Sequence, residues 1–155
     1  MKLSSHFTLA EAAKSHVATR HGIDNAPPAR IIPRLVRVAT QILEPVRTEF
    51  RILFAPSSWY RSPDLNTVVG SKPTSAHLSG RAVDFELPGV ANADLAHWCA
   101  HNLTFDQLIL EFPVPDDPAS GWVHCAIAAD GPDAAPPRGE ILTLTLDGYT
   151  PGLPA

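Results

Sequence analysis

The sequence has little cysteine, little net charge and no long apolar segment. Its two cysteines, Cys99 and Cys125, are too few for the multi-bridge framework of a small secreted domain. A formal net charge of −4 gives no electrostatic reason to bind nucleic acid or an anionic membrane surface. No apolar segment approaches bilayer-spanning length, and the first seven residues lack the apolar core of a signal peptide. We therefore expect no nucleic-acid partner, no membrane insertion, and synthesis in the cytoplasm without a signal peptide.

Proline, by contrast, is abundant. Sixteen prolines lie mainly between the apolar segments, and their fixed φ predicts rigid connections between short elements. Hydrophobic residues make up 45% of the chain and charged residues 18%, which is typical of an ordinary globular domain. One domain is the natural count for 155 residues. We place this domain at residues 1–147 and expect residues 148–155 to form a frayed C-terminal tail.

The apolar periodicity predicts an α+β fold. Thr8 and Glu11 form a capping box that begins a short helix, and apolar residues at three- and four-residue steps between 33 and 46 mark a central packing helix. Pro45 predicts a kink in that helix or its early end, and Asn92 is a candidate N-cap for a helix that ends near residue 102. Alternating segments predict a small antiparallel sheet packed against two or three helices, with strands at 51–58, 81–86, 105–112, 122–127 and 140–146.

The segment Ser-Ala-His-Leu-Ser-Gly-Arg-Ala-Val-Asp at residues 75–84 carries the clearest chemical signal. It places His77 and Asp84 seven positions apart, with Gly80 between them to allow a sharp turn. His124, on a later predicted strand, would complete a His2Asp set, and a catalytic zinc site uses three such ligands plus a water. The alternative is that His77 and Asp84 only hydrogen-bond in a turn and that His124 is a buried core histidine.

The pattern Ser-x-His-x-x-Gly-x-Ala-x-Asp, followed by Trp-x-His at 122–124, resembles the metal-site signature of the zinc D-Ala-D-Ala carboxypeptidase family, peptidase family M15. The resemblance covers most of residues 5–127 and is most similar to the small phage and bacterial peptidoglycan peptidases; further matching segments are 6–11, 59–66 and 106–111. The family shares its layout with the hedgehog signalling domain. The resemblance implies a hedgehog-like α+β fold in which Zn2+ is held by His77, Asp84 and His124.

The same resemblance implies a glutamate that acts as general base shortly before the last histidine ligand. Many relatives place it three residues before that histidine, but this position is occupied by Gly121. Glu111 is the only glutamate between the second and third metal ligands, and its predicted strand leads towards the site. We assign the general base to Glu111. Asp116 and Asp117 are the alternatives, in a proline-flanked loop.

Three residues are candidates for binding substrate. The resemblance implies that Arg61 anchors a peptide carboxylate, for which its planar guanidinium is suited because it donates two parallel hydrogen bonds. The alternative for Arg61 is a structural pair with Asp64. The resemblance also implies that Ser75 lies beside the substrate or supports a metal ligand. Trp122, on the same strand face as His124, either walls the substrate groove or packs in the core.

The resemblance implies a zinc metallopeptidase that hydrolyses a peptide bond of the peptidoglycan stem peptide. It would act as a D-Ala-D-Ala carboxypeptidase or as an endolysin-type endopeptidase, and we expect a monomer. Without a signal peptide, it would reach the cell wall during phage lysis or on a virion. The alternative is a non-catalytic, zinc-stabilised structural or cell-wall-binding module. The missing glutamate at position 121 supports that alternative, since a fold can keep a metal site without the activity.

Overall fold

The computed structural model describes residues 1–155, which form helices and one five-stranded sheet. The α-helices are α1 (Leu9–Ala13), α2 (His16–His21), α3 (Ile32–Val38), α4 (Glu44–Phe50), α5 (Pro63–Val68) and α6 (Asn92–Asn102). A 3-10 turn at Ala29–Ile31 precedes α3, and a π-helical segment at Ala39–Leu43 joins α3 to α4. The strands are β1 (Ala82–Phe85), β2 (Gln107–Glu111), β3 (Trp122–Ala126), β4 (Glu140–Thr145) and β5 (Gly148–Pro151). None of the helices is long and apolar enough to span a bilayer.

The central packing helix is continuous from α3 to α4 and contains a π-helical segment rather than a break. Pro45 lies in the first turn of α4, directly after that segment. Proline has no N–H and its ring clashes with the carbonyl four residues earlier, so the chain widens by one residue where an α-turn would clash. Ala39, Ile42 and Leu43 are fully buried within the π segment. The predicted kink is therefore a local widening that keeps the apolar face on the core.

The strand order in the sheet is β1-β3-β2-β4-β5, and the prediction of an α+β fold is confirmed. Every neighbouring pair is antiparallel, as expected, except β2 and β4, which run parallel and make the sheet mixed. Arg138 bonds the carboxylate of Asp106 through Nε and Nη2, which fixes the start of β4 beside the start of β2. The loop between β3 and β4 thus returns the chain to the end of the sheet from which β2 also begins.

Two local predictions are wrong. Residues 51–58 form no strand and contribute only an isolated bridge between Ser58 and Asp84, in a segment where Pro56 has no N–H to donate. The predicted frayed tail contains β5, which pairs with β4, and Thr143 Oγ1 donates a 2.7 Å hydrogen bond to the Gly152 carbonyl. The two turn residues are Leu146 and Asp147, and Gly148, with φ 108, begins β5 directly after them.

The two faces of the sheet have different roles. One face packs on the helices and supplies six residues of the main core: Val83, Phe85, Leu108, Leu110, Val123 and Cys125. Successive side chains on a strand point to opposite faces, so Asp84 and His124 project from the other face. Both are nevertheless buried, because loops cover that face. A polar site is thereby built on a strand pair whose other face is fixed by the core.

Candidate metal centre

Two candidate metal ligands come from neighbouring strands and the third from a tight loop. Asp84 on β1 lies directly opposite His124 on β3 in the antiparallel register. His77 is brought to them by the turn at Gly80, which has φ +70, a conformation that side chains disfavour. A Cβ at Gly80 would lie 2.5 Å from Ile31 Cγ2 in the core, so the turn needs glycine for space as well.

The three donor atoms converge on one point. His77 Nε2 lies 3.2 Å from Asp84 Oδ1, and His124 Nδ1 lies 2.8 Å from the same oxygen. All three donors lie within 4.8 Å of one another, and all three residues are buried. Donors bound tetrahedrally to zinc at 2.0–2.2 Å are separated by about 3.3 Å. The spacing and the two-nitrogen, one-oxygen chemistry therefore fit a zinc ion, with only small adjustments of the side chains.

The ring orientation of His77 is fixed by the protein backbone. His77 Nδ1 lies 2.6 Å from the carbonyl oxygen of Trp59, and because a carbonyl can only accept, Nδ1 carries the proton and donates it. Nε2 is then the ring nitrogen that faces Asp84, 3.2 Å from its Oδ1. Metal-binding histidines commonly use the second ring nitrogen in this way, which fixes both tautomer and orientation. No sequence motif predicts this contact, because the backbone carbonyl of any residue could accept the hydrogen bond.

Asp84 is held in its charged form. Its burial alone would raise its pKa, but the charge of His77 and the hydrogen bonds from His124 and His77 outweigh burial and hold the pKa of Asp84 well below its ordinary value. Arg61 Nη2 also lies 3.2 Å from Asp84 Oδ2. The predicted alternative partner of Arg61, Asp64, is therefore not its partner. An ionised carboxylate is what a divalent cation requires of this residue.

Arg61 is itself held by two serines. Its Nε donates to Ser58 Oγ at 3.1 Å, and its Nη1 is 3.5 Å from Ser71 Oγ. The adjacent backbone is positioned by Asn25, which is buried and accepts a 2.7 Å hydrogen bond from the N–H of Ser62. The guanidinium thus lies between the metal ligands and the loop that precedes His77.

Glu111 lies in the same cleft, at the end of β2. Its Oε1 is 3.8 Å from His124 Nδ1, which is the donor atom of that histidine. Burial raises the pKa of Glu111, and the negative charge of Asp84 raises it further, against the opposing charges of His124 and Arg61. The rival acids Asp116 and Asp117 are exposed in the loop between β2 and β3 and do not line the cleft. Of the three candidates, only Glu111 is close to the converging donors.

Gly121 explains structurally why no glutamate lies three residues before His124. Its φ is +70, and a Cβ there would lie well inside van der Waals contact with the carbonyl oxygen of Glu111. Phe112, which follows Glu111 in the chain, also has a left-handed backbone, with φ 53. The centroid of its ring lies 5.5 Å from that of Trp122. A side chain at position 121 is thus incompatible with the path of β2. The chain instead presents a glutamate from the neighbouring strand.

A cleft of about 810 Å³ surrounds this centre. The three candidate substrate residues, Arg61, Ser75 and Trp122, all line it together with the ligands and Glu111. Trp122 lies opposite Glu111 across β2 and β3. Ser75 Oγ accepts a 3.4 Å hydrogen bond from the N–H of His77, which helps to close the turn that carries this ligand. The structure therefore places every predicted site residue in one cavity.

Asn92 is a supporting residue whose role the sequence did not reveal. It was predicted to cap α6, but the N-cap is Ala91, and the buried Asn92 side chain points instead towards the loop before β3. Its Nδ2 contacts the carbonyls of Ser120 and Gly121 at 3.1 and 3.0 Å and Glu86 Oε1 at 3.0 Å. This contact fixes the entry into the strand that carries His124.

Comparison with known proteins gives one family. A family model described as peptidase M15 matches residues 5–126 of the chain, a range that begins before α1 and ends with β3. The matched range contains all three converging donors, Glu111, and the three candidate substrate residues. The hairpin of β4 and β5 lies beyond it. No curated protein sequence shows significant similarity to the chain.

Proposed function

The chain belongs to the peptidase M15 family, and on that premise we propose that it is a zinc-dependent metallopeptidase that hydrolyses a peptide bond in the peptidoglycan stem peptide. The proposal covers a D-Ala-D-Ala carboxypeptidase and an endolysin-type endopeptidase, acting on the cell wall during phage lysis or from a virion. The observation that carries it is the convergence of His77, Asp84 and His124 beside Glu111. A metal-binding set with a carboxylate beside it is the arrangement that metal-assisted peptide hydrolysis uses.

His77 Nε2, Asp84 Oδ1 and His124 Nδ1 would hold the zinc ion. The ion supplies Lewis acidity, which polarises a carbonyl and makes water a better nucleophile at neutral pH. The protein contributes the fixed directions of the donors: the Trp59 carbonyl orients His77, and the strand pairing orients Asp84 and His124.

Glu111 is the group that moves the proton. Its carboxylate takes a proton from the attacking water and delivers it to the leaving amine, the role of a general base that becomes a general acid. Its Oε1 lies 3.8 Å from His124 Nδ1, so it reaches the space next to the donors without a change of backbone. Partial burial of Glu111 keeps bulk water from competing for this proton.

Arg61 and Trp122 would bind the substrate. Arg61 anchors a substrate carboxylate through Nη1, whose only contact in the protein is the 3.5 Å approach to Ser71 Oγ, while Nη2 stays on Asp84. Trp122 forms a wall of the cleft next to Glu111 and packs on Phe112. Ser75 supports the turn that carries His77. Nη2, which binds Asp84, and Nη1, which would bind substrate, thus belong to the same guanidinium group. Substrate binding is thereby linked to a candidate metal ligand.

The test is hydrolysis of purified muropeptides, read by mass spectrometry, with the zinc content of each protein measured in parallel. We expect the intact chain with zinc to release a defined stem fragment, and the His77→Ala variant to bind no stoichiometric zinc and to release none. Cleavage by metal-free His77→Ala protein would contradict the proposed mechanism. Stoichiometric zinc in the intact chain with no cleavage of any stem peptide would favour the alternative, a non-catalytic zinc-stabilised module.

A further inference from the structure

We propose that Lys72, held over the ring of Tyr149, is a carboxylate-binding subsite of the cleft and selects acidic stem peptides. This inference rests on the proposed function only in its choice of peptides; the contacts that support it lie in the structure itself. Both residues line the same cleft as the converging donors and Glu111. Lys72 Nζ lies 5.9 Å from the centroid of the Tyr149 ring.

The sheet places Tyr149 in line with Glu111. In the strand register, Glu111 on β2 lies beside Leu144 on β4, and Leu144 lies opposite Tyr149 on β5. Tyr149 is therefore two strands from Glu111, a distance of about 10 Å at the usual strand spacing. An extended peptide covers that distance with about three residues. A substrate that is cut beside Glu111 can thus reach Tyr149 with its next few residues.

Two residues along the strands from this row lies a largely apolar floor. Ile109 on β2 and Leu142 on β4 are neighbours in the register, and both line the cleft. This floor has no charge of its own, so it suits the backbone and short side chains of a peptide but does not select among them. Selection by charge must come from the residues around its edge.

The backbone of the loop that carries Lys72 is held in place by hydrogen bonds from a buried side chain. Asn66, which is buried, donates from Nδ2 to the carbonyls of Ser71 and Lys72 at 3.4 and 3.1 Å. Arg61 Nη1 approaches Ser71 from the side of the metal ligands. With its backbone held at these points, the lysine extends across the cleft to the opposite wall formed by β5. The loop on one side of the cleft and β5 on the other thus approach each other at the Lys72 ammonium group and the Tyr149 ring.

Lys72 is the one lysine or arginine of the cleft whose charged group makes no hydrogen bond and no ion pair. Four basic residues line the cleft: Arg61, Lys72, Arg81 and Arg138. Arg61 is paired with Asp84, Arg138 is paired with Asp106 and Glu140, and Arg81 donates from Nε to Ser79 Oγ at 2.8 Å. Lys72 is exposed, and its ammonium group lies 5.9 Å from the centroid of the Tyr149 ring without a hydrogen-bond or ion-pair partner. A substrate carboxylate would supply the charge-assisted hydrogen bond that this group lacks.

The tyrosine half of the subsite lies outside the part of the chain that matches the family. The match ends at residue 126, whereas Leu142 and Tyr149 belong to the β4–β5 hairpin. The hairpin therefore adds a wall and part of the floor to a cleft whose metal-binding side lies within the matched range. This addition gives the chain a means of selecting substrates that the matched range does not contain.

Binding without turnover tests the subsite. In a zinc-loaded Glu111→Gln background, calorimetry compares a stem peptide bearing free carboxylates with two amidated forms, one at the C-terminus and one at the side chain of an acidic stem residue. Because Arg61 and Lys72 would each bind one carboxylate, we expect each amide to bind about tenfold more weakly than the acid, the factor for one charge-assisted hydrogen bond. Adding Lys72→Met should abolish the penalty of one amide only, and that amide identifies the carboxylate that Lys72 binds. Adding Lys72→Arg should preserve both penalties.

Lys14→Met, which removes an exposed lysine outside the cleft, is the matched control and should leave the acid-to-amide ratio unchanged. An unchanged ratio in the Lys72→Met background, or no binding of any peptide, would overturn the subsite. Turnover by the unmutated chain is measured separately. If it cleaves muropeptides while Lys72→Met has no effect, the subsite fails and the proposed function stands. If it cleaves none while Lys72 still sets the ratio, the subsite stands and the proposed function fails.

Discussion

Asp84 Oδ1 and His124 Nδ1 lie 2.8 Å apart because their residues are directly opposed in the pairing of β1 and β3. Their positions therefore depend on the register of two strands whose other faces form part of the core. A slip of one residue in that register would turn one of the two away from the site. Two of the three candidate ligands are thus fixed by the sheet, so metal binding and the stability of the fold should be coupled.

Zinc should stabilise the native state. A ligand that binds only the folded protein stabilises it by about 2.7 kcal/mol at a hundred times its dissociation constant. We expect zinc to raise the unfolding temperature of the intact chain and a chelator to lower it. His124→Ala should remove the zinc-dependent shift, whereas His101→Ala, an exposed histidine on α6, should retain it. The measurement is thermal unfolding with and without zinc, and an equal shift in both variants would contradict the ligand set.

Glu111→Gln should separate metal binding from catalysis. The amide cannot accept the proton, so we expect muropeptide cleavage to fall by about 10²- to 10⁴-fold. Zinc content should stay at one ion per chain, since the three donors are untouched. Asp116→Asn and Asp117→Asn are the controls and should keep nearly full activity, because both residues are exposed outside the cleft. If one of these controls lost activity while Glu111→Gln kept it, the general base would be the residue changed in that control.

Gly121→Ala should displace Glu111. The new Cβ would collide with the Glu111 carbonyl and would also require an alanine at φ +70. Gly89→Ala is a matched control, with φ +76 and open space around the new Cβ, so it carries only the backbone cost of about 1–2 kcal/mol. We expect Gly121→Ala to lose clearly more stability in urea unfolding and to lose activity. Equal losses in the two variants would mean that the close approach is unimportant.

Both cysteines should be inert in the folded protein. Cys99 and Cys125 are free and buried, and burial raises the pKa of Cys99 to about 12 and that of Cys125 well above its ordinary value. The thiolate is the reactive form, so we expect no labelling by a thiol reagent at pH 8 and two labels per chain in urea. Leu146→Cys, at a 96% exposed position, should label at once and serves as the positive control. Rapid labelling of the unmutated native chain would contradict the packing described here.

The pair of Asp106 and Arg138 should contribute to stability only above acid pH. The hydrogen bonds from Arg138 outweigh burial and hold the pKa of Asp106 below its ordinary value. A depressed pKa gives a stabilisation that is present above the unfolded-state pKa and lost as the pH falls through the folded-state pKa. Asp106→Asn should therefore show a smaller loss of stability between about pH 5 and pH 2. The urea midpoint at each pH measures this, and an exposed control, Asp147→Asn, should behave like the unmutated chain.

Much of the centre could be predicted because its signals are local. His77, Gly80 and Asp84 lie within one turn and the start of one strand, and strand alternation places His124 on a definite face. Glu111 was assigned because it is the only glutamate between the second and third ligands, and the structure places it beside His124. These predictions needed only the spacing of residues and the two-residue period of a strand.

The sequence by itself determined the α+β class, the central helix with an irregularity near Pro45, and the residue types that can hold a metal ion. Only the tertiary structure decided the parallel pairing of β2 and β4, the Trp59 carbonyl behind His77, the place of Asn92, and the wall formed by Tyr149. The physical reason is that periodicity and turn propensity act within a few residues. Contacts between distant segments depend on which loops return the chain, and their backbone carbonyls carry no residue-specific signal.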